Sequence, residues 1–267
     1  MPVIATIPID GPLAFAKAEG SGRRLVELLR NVSDPSRPSI GEWTIGDTAA
    51  HLVQIFEMYP RMARGEPSPV PRTNALSETY ATYLAANPER DPHILAGSVE
   101  NALADFVGVA SELDPEALVP WHGGVQIPLV ALAGLAIGEA TVHGWDIARA
   151  EGRPWPMYPV EASLVIKAIG VVAPHFLTEE GERATASFRI NLRKSGSLTF
   201  RFDGGELKVS STDEGTVDCR ISADPVAFLL TGYGRVGLFG PIATGKLIAY
   251  GRKPWLGMSF TNYMRSP

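Results

Sequence analysis

The sequence has a single cysteine, Cys219, among its 267 residues. One cysteine excludes an intramolecular disulfide and any zinc site built from cysteine thiolates. Positive charge is also sparse, because 24 Lys and Arg face 29 Asp and Glu, and the basic residues cluster in pairs at most. Without a clustered basic patch the chain lacks the surface that nucleic acids or anionic membranes require.

Long hydrophobic runs are missing as well. No uninterrupted apolar run reaches the roughly 18 residues that a membrane span needs. The N-terminal stretch MPVIATIPIDGP has no basic segment and is broken by prolines, so it does not have the pattern of a secretory signal. We therefore expect a cytoplasmic protein whose partners are small molecules, with no nucleic acid and no membrane.

The first 155 residues carry the apolar periodicity and capping residues of helices. Thr44 is placed to cap the second helix, with Asp47 at the capping-box position. Four long helices joined by such connections predict a bundle, a fold in which facing side chains often hold metals. The predicted long helices span residues 11–31, 44 to the breaker at Gly65, 93–113 and 128–151, and a shorter one spans 77–86.

The pattern changes near residue 155. One more helix, 160–177, leads into short alternating runs separated by Gly, Asp and Ser, which indicate strands and hairpins. A short helix through Thr231, a last strand in GKLIAYG and a closing helix over 254–263 complete the predicted elements. The sequence thus predicts an all-α domain over 1–155 followed by a smaller α+β domain over 156–267.

The most informative segment is the helix 128–151, which is apolar over 127–138 and then carries Glu139, His143 and Asp146. An unpaired buried charge is costly, so these groups need partners, a metal or a polar pocket. Glu139 and His143 are four residues apart and share a helix face. Of the five histidines, His51 alone lies in the middle of another helix of the first domain, with Asp47 four residues before it.

Three interpretations of this pattern remain open. His51, Glu139 and His143 could bind one metal ion, with Asp47 and Asp146 accepting the second ring N–H of His51 and His143. The same residues could instead form a buried hydrogen-bond network without a metal. They could also lie exposed on helix faces. Spacing by itself does not choose among the three.

Two motifs bear a family resemblance. WTIGDTAAHL, ending just after His51, resembles the first metal-binding motif of the mycothiol-dependent maleylpyruvate isomerase family, a branch of the DinB-like four-helix metal proteins. GEATVHGWDIARA, which contains Glu139 and His143, resembles the second motif. ADPVAFLLTGYGR and ATGKLIAYGRKPWLGMSF resemble the C-terminal domain of that family, which is akin to the sterol-carrier-protein-2 (SCP2) fold. The resemblance covers nearly the whole chain.

The resemblance implies that His51, Glu139 and His143 are ligands of a divalent metal, expected to be zinc. It also implies mycothiol as a cosubstrate and an arginine of the C-terminal domain that faces the metal. The match for that arginine falls on Arg235, and Arg252 is its rival. The expected function is a thiol-dependent isomerase or S-transferase acting on a small molecule, and the alternatives are a non-enzymatic binder of an apolar ligand or a zinc-dependent hydrolase.

Overall fold

The computed structural model describes residues 7–212 and 215–265. Within that part, the chain divides into two compact units. The N-terminal unit comprises residues 10–157, and the C-terminal unit comprises the residues from 158 onward together with residues 7–9. The predicted boundary near residue 155 is close to this division, although the first described residues belong to the C-terminal unit.

The N-terminal unit is helical. Its helices before the candidate site are α1 (Gly11–Leu29), α2 (Ile45–Ala63), α3 (Leu76–Ala86) and α4 (Pro92–Ser111). The side chain of Asp10 caps α1, and Thr44 and Asp47 form the predicted capping box at the start of α2. Helix α4 packs against both α1 and α2, so the predicted bundle is confirmed.

Helix α4 has a second property. By length and composition it could cross a membrane, and among the described residues it is the one helix that could. A core helix of a bundle meets the same criterion. In the structure Val99, Leu103 and Phe106 of α4 are buried inside the N-terminal unit, whereas Ile94 is exposed.

The predicted helix over 128–151 is interrupted. It consists of α5 (Leu129–Gly138), a five-residue π-helical turn (Glu139–His143) and α6 (Gly144–Ala150). Every residue of α5 is buried, which explains why its sequence has no polar face. The polar residues begin at Glu139, where the α-helical hydrogen-bond pattern changes to the π-helical one.

Two short antiparallel strand pairs flank these helices. Strands β1 (Pro38–Ile40) and β2 (Trp43–Thr44) lead into α2, and strands β3 (Leu118–Pro120) and β4 (Gln126–Pro128) lead into α5. The second pair is closed by a turn at His122–Gly124. Gly123 and Gly124 have φ values of 69° and 76°, a left-handed conformation that favours glycine.

The C-terminal unit is a five-stranded sheet with helices. The strands are β5 (Thr185–Leu192), β6 (Gly196–Asp203), β7 (Glu206–Ser210), β8 (Cys219–Ala223) and β9 (Leu247–Tyr250), in the order β7-β6-β5-β8-β9. Strands β5 and β8 pair in parallel, and the other pairs are antiparallel. The helices are α7 (Pro159–Val172), α8 (Glu179–Arg183), α9 (Pro225–Gly232) and α10 (Phe239–Ala243). The prediction of a smaller α+β domain is confirmed.

Two predicted helices of this unit are shorter or looser than expected. Helix α7 ends at Val172 and continues as a 3-10 turn that contains Pro174, because proline has no backbone N–H to extend the α-helical ladder. The closing helix over 254–263 is a pair of 3-10 turns, Pro254–Met258 and Phe260–Asn262. Gly257, a poor helix former, lies within this segment.

Candidate metal centre

Three side chains from α2 and the π turn converge in the N-terminal unit. His51 lies in the second turn of α2 and is 4% exposed. Glu139 and His143 are the first and last residues of the π turn. The capping box sets the residue at which α2 begins. The buried residues of α5 place the π turn that follows them in the interior of the unit. The structure therefore brings together all three residues that the sequence motifs predicted as ligands.

The candidate ligand atoms of the three residues lie close together. Oε2 of Glu139 lies 3.7 Å from Nε2 of His51 and 3.5 Å from Nε2 of His143. One ligand atom from each of the three residues lies within 4.8 Å of the others. Two ligands bound at about 2.1 Å to a tetrahedral ion lie about 3.4 Å apart. The spacing thus fits an ion, while it is longer than the 2.7–3.2 Å of an ordinary hydrogen bond.

Hydrogen bonding within the described residues leaves this cluster unsatisfied. Oε2 of Glu139 and Nδ1 of His51 are both buried and have no hydrogen-bond partner there. Buried polar atoms are usually paired, so an unpaired carboxylate oxygen facing two imidazoles calls for an explanation. Two imidazoles and one carboxylate leave a position open in a tetrahedral site, as catalytic zinc sites do.

The charges of the cluster suit a cation. Burial lowers the pKa of His51, and together with the neighbouring His143 it outweighs the Glu139 carboxylate, which raises that pKa, so the neutral imidazole that a metal ligand must be is favoured. Burial alone would raise the pKa of the Glu139 carboxyl, but His51, His143 and His122 outweigh burial and lower it. The carboxylate form, which can coordinate a metal, is therefore favoured.

The two predicted supporting carboxylates differ. Oδ2 of Asp146, a residue 1% exposed, lies 3.2 Å from Nδ1 of His143, which leaves Nε2 of that ring directed at Glu139. Asp47 instead accepts hydrogen bonds from Thr44 and from Nε of Arg90. The predicted bond from His51 to Asp47 is not found among the described residues, because the capping box and Arg90 hold this carboxylate at the start of α2.

Aromatic rings enclose His51. The ring centroids of Trp43 and Tyr80 lie 5.0 Å and 4.9 Å from that of His51, and the His143 ring lies 5.2 Å away. Burial, and the nearby Glu139 carboxylate, raise the pKa of Tyr80, so its hydroxyl stays protonated. Sequence analysis did not identify Tyr80, because its helix α3 shows only a weak apolar pattern.

His122 is a second residue that was not predicted from the sequence. Its Nδ1 lies 2.7 Å from Oγ of Ser68, and its Nε2 lies 3.5 Å from the hydroxyl of Tyr80. Burial lowers the pKa of His122 to about 4, so the ring is neutral. The one signal in the sequence was the Gly123-Gly124 pair, which creates the tight turn that carries His122 inward.

The two candidate arginines lie in the C-terminal unit. Arg235 follows α9, donates a hydrogen bond of 2.8 Å to the carbonyl of Tyr233 and stacks on the Tyr233 ring at 5.7 Å. Arg252 donates to the carboxylate of Asp218 within the same unit. Its guanidinium therefore already forms an ion pair, so Arg252 is less available to bind a substrate.

Known families and structures resemble this chain. The family description "Mycothiol maleylpyruvate isomerase N-terminal domain" matches residues 15–148, and "SCP-2 sterol transfer family" matches residues 178–262. The crystal structure of the mycothiol-dependent maleylpyruvate isomerase is 13% identical, with a TM-score of 0.53. A histidine-to-alanine mutant of that enzyme is 11% identical, with a TM-score of 0.56.

Each of these alignments covers 90% of this chain and 93% of the other chain. At such low identity the structural matches establish a shared fold. No curated protein sequence matches the chain.

Proposed function

Since the chain belongs to the mycothiol-dependent maleylpyruvate isomerase family, we propose that it is a metal-dependent enzyme that uses mycothiol as cosubstrate. It would act on a small electrophilic molecule, either as a cis–trans isomerase or as a thiol S-transferase. The observation that carries the proposal is that His51, Glu139 and His143 each bring one ligand atom within 4.8 Å of the others, while Oε2 of Glu139 is buried with no hydrogen-bond partner among the described residues.

The proposed metal ligands are Nε2 of His51, Nε2 of His143 and a carboxylate oxygen of Glu139. Their spacing, and the absence of a hydrogen-bond partner for Oε2 of Glu139 among the described residues, fit a divalent ion, and the set of two imidazoles and one carboxylate suits zinc. When bound, such an ion lowers the pKa of a coordinated thiol, so that the thiol is present as the thiolate at neutral pH. Asp146 orients the His143 ring for this role.

The thiol chemistry can proceed in two ways. In an isomerase, the thiolate sulfur adds to one carbon of an activated double bond, the resulting single bond rotates, and loss of the same thiolate restores the double bond in the other geometry. The thiol then returns unchanged. In a transferase, the thiolate displaces a leaving group or adds to the electrophile, and the carbon–sulfur bond stays in the product. The protein's own Cys219 is buried and burial raises its pKa, so the thiol comes with the cosubstrate.

The side chains of His122 and Tyr80 lie beside the cluster and can bind the substrate. A bond of 2.7 Å between a hydroxyl and a ring nitrogen suits Oγ of Ser68 as donor to Nδ1 of His122, since Oγ also accepts from the N–H of Val70. Nε2 of His122 then carries the proton and can donate to a substrate oxygen that gains negative charge, with Tyr80 beside it.

An arginine is the proposed anchor of a substrate carboxylate. We assign this role to Arg235 because it matches the family motif. A guanidinium can bind a carboxylate through two parallel hydrogen bonds.

The test measures zinc per chain by elemental mass spectrometry on the purified protein and on His143→Ala, with His93→Ala as the matched control. His93 lies exposed at the start of α4. We expect about one zinc per chain in the parent and the control, and loss of zinc in His143→Ala. A chain that holds no zinc after incubation with the ion would overturn the proposal.

The second step of the test is turnover of maleylpyruvate and related electrophiles with and without mycothiol. Turnover that requires mycothiol supports the proposed function, and the sulfur content of the product separates isomerase from transferase. Turnover that proceeds equally well without any thiol would contradict it and favour a zinc-dependent hydrolase.

A second candidate function rests on the C-terminal unit. This unit contains a cavity of about 130 Å³ whose lining is mostly apolar. Its walls include Ile166, Phe200, Phe228, Leu247 and Phe260. An apolar cavity of roughly this size can hold a small hydrocarbon. Binding of a small apolar ligand is therefore the alternative to enzymatic activity. Saturable displacement of a bound apolar fluorescent probe by an apolar ligand, in a protein that holds no zinc, would favour this alternative.

A further inference from the structure

The π turn is the feature of the N-terminal unit that the proposed function leaves unexplained. Single π turns inside α-helices are rare and occur often at functional sites. Here the turn has five residues, and the two proposed ligands Glu139 and His143 stand at its two ends. Any change in the turn therefore changes the relative position of these two side chains.

Trp155 binds the middle of this turn from outside the helix. Its Nε1 donates a hydrogen bond of 2.9 Å to the carbonyl of Thr141, the central residue of the turn. Trp155 belongs to the segment that follows α6. Its hydrogen bond therefore joins two residues that are fourteen positions apart in the sequence. A bond to a central carbonyl from a separate segment fixes the turn in a way that the helix alone does not.

Gly144, the residue directly after the turn, makes this approach possible. A Cβ atom at Gly144 would overlap Cζ2 of Trp155 and would lie 2.6 Å from Cε2. Real Cβ contacts are not this short, so the six-membered ring of the indole requires the glycine. Gly144 has ordinary helical dihedral angles, with φ −59° and ψ −39°, so close packing and not backbone conformation demands it.

Thr141 adds a second hydrogen bond through its side chain. Its hydroxyl donates a hydrogen bond of 2.7 Å to the carbonyl of Ile137, in the last turn of α5. Bonds of this kind from a Thr hydroxyl to the carbonyl four residues earlier tend to bend helices. The turn is thus held at its centre by two hydrogen bonds, one through the backbone and one through the side chain of Thr141.

We propose that Trp155 is a positioning residue: by binding the Thr141 carbonyl and packing on Gly144, it holds the π turn in the form that directs Glu139 and His143 at one metal ion. The inference rests on the proposed function for the identity of the ligands, and it adds a residue that is not one of the proposed ligands. Groups that orient metal ligands commonly change metal affinity 10- to 100-fold.

The experiment compares Trp155→Phe with the parent protein and with Trp145→Phe as the matched control. Phenylalanine keeps an aromatic ring but lacks the N–H donor. Trp145 lies on α6, where its ring stacks with Arg149. Zinc affinity is measured by competition with a chromophoric chelator, and the visible spectrum of the cobalt-substituted protein reports ligand geometry. We expect zinc binding about 10-fold weaker and an altered cobalt spectrum in Trp155→Phe, with both unchanged in Trp145→Phe.

Gly144→Ala provides a second variant. We expect it to weaken zinc binding as well, because its methyl group displaces the indole. Combining it with Trp155→Phe should cost less than the sum of the two single changes, since the smaller ring leaves room for the methyl group. Equal zinc affinity and an unchanged cobalt spectrum in Trp155→Phe would overturn the proposal.

Amide hydrogen exchange of the metal-free protein separates this inference from the proposed function. In Trp155→Phe, residues 139–144 should exchange faster than in the parent, while α2 exchanges at the same rate. If the parent binds no zinc, the proposed function fails, and unchanged exchange in Trp155→Phe would then also refute the role of Trp155 in holding the turn.

Discussion

Glu139 in the N-terminal unit and Asp218 in the C-terminal unit are both carboxylates set among buried residues, and both have a lowered pKa. Their surroundings differ. Asp218 accepts hydrogen bonds from the backbone and hydroxyl of Ser187 and pairs with Arg252 and Lys253. Oε2 of Glu139 has no hydrogen-bond partner among the described residues, although two imidazole nitrogens lie within 3.7 Å.

The difference shows what a lowered pKa can and cannot indicate. At Asp218 the lowered pKa arises chiefly from Arg252, and the carboxylate is fully used in joining β5, β8 and the segment after β9. At Glu139 the neighbouring imidazoles favour the charged form of the carboxyl. Its Oε2 accepts no hydrogen bond from the described residues and can therefore coordinate a metal ion. Perturbed pKa values occur at structural ion pairs as well as at functional sites, and the count of hydrogen-bond donors distinguishes the two.

Glu139→Gln is the change that should separate the two carboxylates most clearly. We expect it to weaken zinc binding by more than about 100-fold, because a neutral amide oxygen is a much poorer ligand than a carboxylate. The free energy of unfolding of the metal-free protein should stay within about 1 kcal/mol of the parent, since no hydrogen bond of ordinary length is lost. Chelator competition and urea unfolding measure the two quantities. Zinc binding equal to the parent would contradict the assignment of Glu139.

His122→Asn extends the comparison to a neutral group beside Glu139. Removing a donor to a developing negative charge commonly lowers kcat about 100-fold or more. We expect a loss of thiol-dependent turnover of about that size, with one zinc per chain retained, because His122 is not among the proposed ligands. Turnover equal to the parent would show that the Nε2 proton of His122 makes no contact with the reacting substrate.

Asp218→Asn is the counterpart of Glu139→Gln. We expect the free energy of unfolding to fall by about 2 kcal/mol, since hydrogen bonds to a charged group are lost. Zinc content should not change, because Asp218 is outside the proposed site. Asp203→Asn, an exposed position at the end of β6, is the control. A stability equal to that of the control would contradict the structural role of Asp218.

Acid should reduce the contribution of Asp218 gradually. Its pKa is lower in the folded protein than the ordinary value of about 4. A carboxyl group whose pKa is lower in the folded than in the unfolded state stabilises the folded protein at pH values above the unfolded pKa. This stabilisation is lost as the pH falls through the folded pKa. The difference in unfolding free energy between the parent and Asp218→Asn should therefore be constant above about pH 5 and shrink below about pH 4. A difference independent of pH from 3 to 6 would contradict this account.

Much of the fold could be predicted from local patterns. The capping box at Thr44 and Asp47 is present as expected, and the apolar run of α5 is buried as its lack of a polar face required. The strands over 185–210 follow the predicted alternation. These features depend on residues a few positions apart, which is why sequence spacing sufficed.

The supporting groups were harder to predict. Asp47 stands four residues before His51, yet it binds Arg90, a residue 43 positions away that no local pattern connects to it. His122 was not predicted because it does not lie in the middle of a predicted helix, and in the structure it contacts Tyr80, 42 positions away. In both cases a partner distant in sequence decided the geometry.

The sequence by itself determined the family, the helical and α+β halves, and the three residues offered as ligands, because motifs and periodicity are local properties of the chain. Tertiary structure decided that His51, Glu139 and His143 come together and that, within the described residues, Asp218 has hydrogen-bond partners while Oε2 of Glu139 has none. It also decided that the helix over 128–151 contains a π turn whose central carbonyl binds Trp155. Hydrogen bonds and close contacts between distant segments are formed only on folding, and at this site they set the positions of the reactive groups.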